Sequence, residues 1–435
     1  MVWSGGRAIS IAELMAHVSA LARQLPAERY LVNLCEQRFH FIVAFCAALV
    51  RGQTNLLPSS RVPDVVQELL AANAGSYRCD DEWVHRVLKS ENTAPDAGHD
   101  GTLNDFRISA AHIAAIAFTS GSTGQPKAHI KRWGSFLKST PMNSGAMREC
   151  LAPKYGAARP NIVATVPPQH MYGMETSVLL PLAADMAVHE ARPLFPADVA
   201  AALDDIPAPR VLVSTPVHLR ALLASGQKFP DIGVVVSATA PLDASLALSI
   251  EREWRTVMLE MFGSTETCVI AVRLTAKDEA WSLYPGVTLE PREDSAEANS
   301  PWFDAPTLLQ DVVEILSDGR FLIRGRNVDM VEVAGKRASL ADLTRRLLNV
   351  PGVEDAVIFQ PDAAGASGVR RVAALVVAPA LSTDAITELL ARSIDPVFIP
   401  RPLIIVPVLP RNEMGKMPRD RLLAALKAGG LEEIR

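Results

Sequence analysis

Thr119-Ser120-Gly121-Ser122-Thr123-Gly124-Gln125-Pro126-Lys127 follows directly on the apolar run Ala115-Ile116-Ala117-Phe118. A short apolar run of this kind reads as a buried strand. What comes after it is almost all hydroxyl or glycine until the lysine. Glycines let backbone N–H groups crowd against an anion, and Ser/Thr hydroxyls add donors around them. Lys127 then supplies a compact positive charge. The segment has the chemistry of a loop that wraps phosphate oxygens. It is not a Walker A loop, because there the lysine follows the second glycine directly, and here Gln125-Pro126 intervenes.

Bulk properties bound what such a loop can serve. A chain of 435 residues is too long for one ordinary core and predicts two or three domains. Hydrophobic content of 49% with 21% charged residues is that of a globular protein. A net charge of −5 spread over both signs, with no aromatics interleaved among basic runs, argues against nucleic-acid binding. Cys35, Cys46, Cys79, Cys150 and Cys268 lack metal-ligand spacing and read as free thiols in a reducing compartment. The longest early apolar run, Phe39 to Val50, is too short to cross a bilayer. No basic region followed by an apolar core opens the chain, so the expectation is a cytoplasmic protein with no stable membrane insertion.

Along the chain, Ser10 and Glu13 predict a capping box, with Leu14, Val18 and Leu21 on one helix face. Tyr30–Cys35 reads as a strand and Phe39–Val50 as a helix stopped near Gly52. Short apolar runs at Asn161–Val166, Arg210–Ser214, Ile232–Ser237 and Val257–Met261 predict strands, alternating with helices such as Ala244–Trp254. Ser317-Asp318-Gly319 between Asp311–Leu316 and Phe321–Arg324 predicts a hairpin. Beyond Arg326 the pattern becomes a compact mixed module, with strands near Met330–Val333, Ala356–Phe359 and Val372–Val377. The expected fold class is α/β. A large N-terminal domain, residues 1–326, would hold layered α/β subdomains with mostly parallel sheets. A small α+β C-terminal domain would span residues 327–435.

Further segments follow the Gly/Ser/Thr loop in a definite order: Pro167-x-x-His170-x-x-Gly173, Ser237-Ala-Thr239-Ala240-Pro241-Leu242, and Phe262-Gly263-Ser264-Thr265-Glu266. After them come Asp311, Gly325-Arg326, Gly335-Lys336-Arg337, and Pro410-Arg-Asn-Glu-Met-Gly-Lys416. Alone, Glu266 reads as a solvated helix-start carboxylate, Lys416 as a surface lysine, and His170 as a core or capping histidine. Taken together, the segments resemble the ordered motifs of the adenylate-forming superfamily of acyl- and aryl-CoA ligases, peptide-synthetase adenylation domains and luciferases.

The resemblance implies a chemistry and a set of roles. A substrate carboxylate attacks the α-phosphorus of ATP and expels pyrophosphate, work that consists mainly of positioning and charge neutralisation. The loop from Thr119 to Lys127 would hold the β- and γ-phosphates. Thr239, Ala240 and Pro241 would lie along the adenine with Phe262, beside Gly263 and Ser264. Asp311 would accept from both ribose hydroxyls, and Arg326 belongs to the same nucleotide-side set. Glu266 would ligate Mg²⁺, and Thr265 would donate to the α-phosphate. Lys416 would bridge carboxylate and phosphate from a mobile C-terminal domain. On rotation that domain would withdraw Lys416 and present Gly335 and Lys336 beside a tunnel for a phosphopantetheine thiol. The sequence departs from the pattern at the hinge, where Val328 and Asp329 stand, at Glu332, at Lys336, and at Phe262 in place of the usual tyrosine.

His170, Tyr172, Gly173, Met174 and Thr267 would form the acid pocket. The segment Pro167–Met174 contains no carboxylate before Glu175, so a substrate ammonium would lack a partner and an aryl acid fits better. Tyr30–Arg38 and Arg51–Pro58 resemble the short ligases of xanthomonadin and aryl-polyene pathways, which load a hydroxybenzoate onto an acyl carrier protein. Lys336, Arg337, Arg345 and Arg346 would then offer an acidic carrier a basic docking face. The alternatives are a CoA ligase for a fatty or other aromatic acid, and a non-catalytic nucleotide-binding regulatory protein.

Overall fold

The computed structural model describes residues 1–90, 106–120, 126–240, 242–292, 295–326, 330–361, 370–410 and 419–432. The apolar run before the loop is the strand Ile113–Ser120, and a second strand, Pro126–Arg132, leaves it. They end a five-stranded sheet in the order Ser76–Cys79, Tyr30–Asn33, Thr54–Leu57, Ile113–Ser120, Pro126–Arg132. The pairings among its first four strands are parallel. Parallel neighbours need a crossover. Arg38–Val50 supplies one; it is apolar around its whole circumference, and the fold accordingly buries it.

A nine-stranded sheet forms the second layer. Its centre is a parallel set, Val257–Ser264, Val234–Ser237, Arg210–Ser214, Asn161–Ala164 and Ala187–His189. Strands covered on both faces read as continuous Val/Ile/Leu runs, and Val211–Val213 and Val234–Val236 are fully buried. Antiparallel strands finish both edges: Cys268–Arg273 and Ser282–Leu283 on one, Arg7–Ile9 on the other. The sheets are thus mostly parallel, as the alternating pattern implies. The capping box forms, with the Glu13 N–H donating to Ser10 Oγ at 3.1 Å and the Ser10 N–H donating to Glu13 Oε2 at 2.7 Å. The Asp-Gly hairpin also forms, pairing Asp311–Ile315 with Phe321–Arg326 around Gly319 at φ 83°.

Two strands end sooner than their apolar runs suggest. Asn161–Ala164 stops before Val166, where the Arg38 guanidinium takes the carbonyls of Ala164 and Val166. The strand Val234–Ser237 starts two residues after Ile232, where the Gly233 N–H turns to the carbonyl of Arg210.

The chain divides into two compact units. The first comprises Met1–Leu57, Asn73–Ala117 and Ala128–Asn327; the second comprises Pro58–Ala72, Phe118–Lys127 and Val328–Arg435. The core of the second gathers the hairpin Met330–Val333/Lys336–Ser339, the helix Leu340–Leu348 and a sheet of Asp355–Phe359, Ala373–Val377 and Leu403–Ile405 around Leu347, Val376 and Leu390. All five cysteines are free thiols. Among the described residues no helix is long and apolar enough to cross a membrane.

Candidate active site

The site is built on one hairpin at the end of the central parallel strands, where open α/β sheets bind ligands. Val257–Ser264 runs out of the sheet, Thr265–Thr267 turn, and Cys268–Arg273 returns antiparallel. The register slips between Phe262 and Gly263, and Gly263 then lies opposite Val269. A Cβ on Gly263 would sit 2.1 Å from the Cys268 carbonyl oxygen, so only glycine permits this approach. The turn is locked reciprocally: the Ser264 N–H donates to Thr267 Oγ1 at 3.0 Å, and the Thr267 N–H donates to Ser264 Oγ at 3.3 Å. Cys268 adopts φ 59° to start the return. These constraints present Thr265 and Glu266 at the tip, with the Glu266 side chain 23% exposed.

Three other motif segments are tied to this hairpin or to the strands beside it. The strand leaving the Gly/Ser/Thr loop brings His129, whose Nε2 lies 3.6 Å from Glu266 Oε1, and Lys131, whose Nζ donates to the Glu266 carbonyl at 2.7 Å. Both side chains are buried. The segment Pro167–Gly173 folds back so closely that a Cβ on Gly173 would meet the Pro167 carbonyl oxygen at 2.0 Å. His170 is the N-cap residue of the helix Met171–Met174, which continues into a π-helical turn, Glu175–Leu179, and then Leu180–Ala183. Such π-turns recur at functional sites. The buried Tyr172 hydroxyl donates to the carbonyls of Ser214 and Val236, which pins the segment to two strand ends. Burial and the charge of Glu260 push that hydroxyl well above its ordinary pKa.

The third segment, Ser237–Leu242, is held from the hairpin by Glu260. Its Oε1 accepts from the Leu242 N–H at 3.0 Å, while Arg273 and Thr275 donate to its Oε2. Thr239 holds φ 78°, a strained value for a β-branched residue, and its buried hydroxyl has no partner among the described residues. An orphaned hydroxyl on strained backbone is a place for a ligand contact. Asp311 is buried and pairs in register with Arg326 across its hairpin. The ring of Phe262 packs against Trp281 and Phe321, with centroids 5.4 and 5.5 Å away.

Gly121, Ser122, Thr123, Gly124, Pro241 and Lys416 lie outside the described residues, as do Val328 and Asp329. Thr119 is partly buried and Lys127 is exposed. Gly335 turns at φ 77°, between the two strands of its hairpin. One expectation is corrected: the basic docking face does not form as four surface cations. Arg346 is buried, bonded to Asp342, Glu68 and the Ser393 carbonyl, because the helix Leu340–Leu348 turns that side chain inward. Arg345 pairs with Asp342 at 2.7 Å, and Lys336 pairs with Asp395 at 2.5 Å.

Sequence reasoning missed Arg38, His129, Lys131 and Glu175. Arg38 is fully buried and donates to Ala164, Val166 and Ser177. Glu175 is 1% exposed; it accepts from the Val269 N–H at 3.1 and 3.2 Å and from Asn143 Nδ2 at 3.2 Å. A signal was present for two of them. His129 and Lys131 are polar residues at alternate positions of a strand that would otherwise bury that face.

The profile of the family described as AMP-binding enzyme matches residues 10–293. A 4-coumarate–CoA ligase of Halorhodospira halophila is 29% identical over 70% of this chain and 75% of its own length. One of Rhodobacter capsulatus is 32% identical over 59% of this chain and 63% of its own. Among solved structures, a double mutant of o-succinylbenzoate CoA synthetase from Bacillus subtilis superimposes with a TM-score of 0.78 at 16% identity, over 97% of this chain and 95% of its own. An amide bond synthetase from Marinactinospora thermotolerans superimposes with a TM-score of 0.76 at 19% identity, over 98% and 96%.

Proposed function

The chain belongs to the AMP-binding enzyme family, and from that membership we propose that it joins an aryl carboxylic acid to a phosphopantetheine thiol through an acyl-adenylate. It is an ATP-dependent, AMP-forming ligase. The observation that carries the substrate class is Glu175. It is the first carboxylate after Pro167, and its oxygens are already engaged by Val269 and Asn143 in the interior. Both oxygens are engaged and the residue is 1% exposed, so an α-ammonium would have to displace those donors, while Met171 and Met174 of the same segment are buried apolar side chains. An aromatic acid of hydroxybenzoate type, with no charge beyond its reacting carboxylate, suits that surrounding better than an amino acid.

Thr265 and Glu266 orient the reacting phosphate, and the segment Ser237–Leu242, with Thr239 and Ala240, receives the nucleoside. The orphaned Thr239 hydroxyl supports that reading. Asp311 supplies the ribose acceptor. Mg²⁺, when bound with ATP, neutralises phosphate charge. Glu266, a hard and partly exposed carboxylate, would be its protein ligand. Lys416 is the residue assigned to bridge carboxylate and α-phosphate.

For the acceptor, the names of the curated relatives favour coenzyme A. A carrier protein is the second reading, resting on the likeness at Tyr30–Arg38 and Arg51–Pro58. Those segments supply buried strands and the buried Arg38, so they speak first to architecture. ATP–pyrophosphate exchange across benzoate, hydroxybenzoates, 4-coumarate, octanoate and tyrosine tests the proposal. Exchange is expected with the aromatic acids and not with tyrosine; the absence of acid-dependent exchange would sink the ligase reading. Adding CoA or holo-carrier to the same reaction names the thiol.

A further inference from the structure

We infer that Lys131 and Glu175 are positioning residues that hold the turn bearing Glu266 at two points, with His129 steadying its carboxylate; this rests on the reading of Glu266 as the magnesium–triphosphate ligand. Lys131 and His129 are two residues apart on one strand and so project to the same side. Lys131 Nζ donates to the Glu266 carbonyl at 2.7 Å and lies against the Cys268 thiol. His129 Nε2 stands 3.6 Å from Glu266 Oε1. On the return strand, the Glu175 carboxylate takes the Val269 N–H. Glu175 is itself set by Asn143, whose Oδ1 accepts from the Tyr284 hydroxyl at 3.0 Å.

These groups are costly to place where they are. An ammonium and a carboxyl group taken from water lose solvation that only good geometry and further hydrogen bonds offset. Lys131 and Glu175 are both more than nine-tenths buried and sit within electrostatic reach of each other. Apolar residues would fill the same space without that cost. What the two polar side chains add is direction: the carbonyl bond fixes the peptide plane after Glu266, the Val269 bond fixes the return strand, and the turn held between them carries the Glu266 side chain. A metal carboxylate held within a fraction of an ångström does not have to be ordered when the nucleotide arrives.

Calorimetric titration of the full chain with AMP, with ATP in EDTA, and with ATP plus Mg²⁺ separates this role from a merely structural one. In Lys131→Met the gain in ATP affinity conferred by Mg²⁺ should fall by about tenfold or more, with AMP affinity unchanged within about twofold. Glu175→Leu should behave like Lys131→Met, whereas Glu175→Gln, which keeps the acceptor for Val269, should stay near the wild type. His129→Leu, which leaves both backbone anchors, should show a smaller loss and serves if the other variants fail to fold. Equal loss of AMP and Mg·ATP binding in Lys131→Met, or no loss of either, overturns the assignment. Wild-type protein that binds ATP equally with and without Mg²⁺ overturns it too and leaves the nucleotide reading standing. Wild-type protein that binds no nucleotide overturns both.

Discussion

At the residue scale, Glu175 shows how far a side chain's identity is from its role. In one dimension it is a carboxylate two places beyond a glycine motif. In the fold it is buried, and burial pushes its pKa from the ordinary 4.5 up to about 7, against the Val269 and Asn143 hydrogen bonds and the charge of Lys131. A folded pKa above the unfolded value means that the folded chain holds a proton the unfolded chain has released. The contribution to stability is therefore fully present below about pH 4.5, is lost as the pH rises to about 7, and is constant above that. Glu175→Gln abolishes this titration. Its unfolding free energy, compared between about pH 5 and about pH 8, should change less than the wild type's by about 2 kcal/mol. Equal changes of unfolding free energy between the two pH values in both proteins, measured by urea titration, would refute it. Gly173 and Gly263 matter for what they lack, since a Cβ at either position would meet a backbone carbonyl oxygen at 2.0 and 2.1 Å.

At the scale of elements, the capping box, the Asp-Gly hairpin and the helix Ala244–Trp254 were legible because each depends on neighbours within a few residues. The helix Trp133–Tyr155 was not, since Pro141 and Pro153 inside it read as breaks and tertiary packing overrides them. Nor was the bracing of the π-turn, which comes from Arg38 on a distant helix. That guanidinium is buried without a carboxylate among the described residues, and desolvation, with the charge of Arg192, lowers its pKa to about 9. Its bonds to two carbonyls and to Ser177 join the strand Asn161–Ala164 to the turn that carries Glu175. Arg38→Met leaves those acceptors unsatisfied in the interior and should cost about 3 kcal/mol. Urea unfolding followed by tryptophan fluorescence measures it, and an unchanged midpoint would mean that the bracing contributes nothing.

For the whole molecule, the proposed division of labour lies between the unit carrying Glu266 and the unit that contains position 416. If Lys416 serves the adenylation half-reaction alone, Lys416→Ala should lower pyrophosphate exchange by about a hundredfold or more, while thiol transfer from a synthetic acyl-adenylate survives. Equal loss in both assays would refute the division. By itself the sequence determined the α/β class, the parallel layers and the order of the motif segments, because these follow from local periodicity, turn chemistry and spacing along one chain. Only the tertiary structure decided that Arg346 is interior rather than a docking cation, that Tyr172 spends its hydroxyl on strand ends, and that His129, Lys131 and Glu175 converge on the Glu266 turn. Burial and hydrogen-bond partners belong to whatever packs against a side chain, and for these residues the packing partners are dozens to hundreds of positions away.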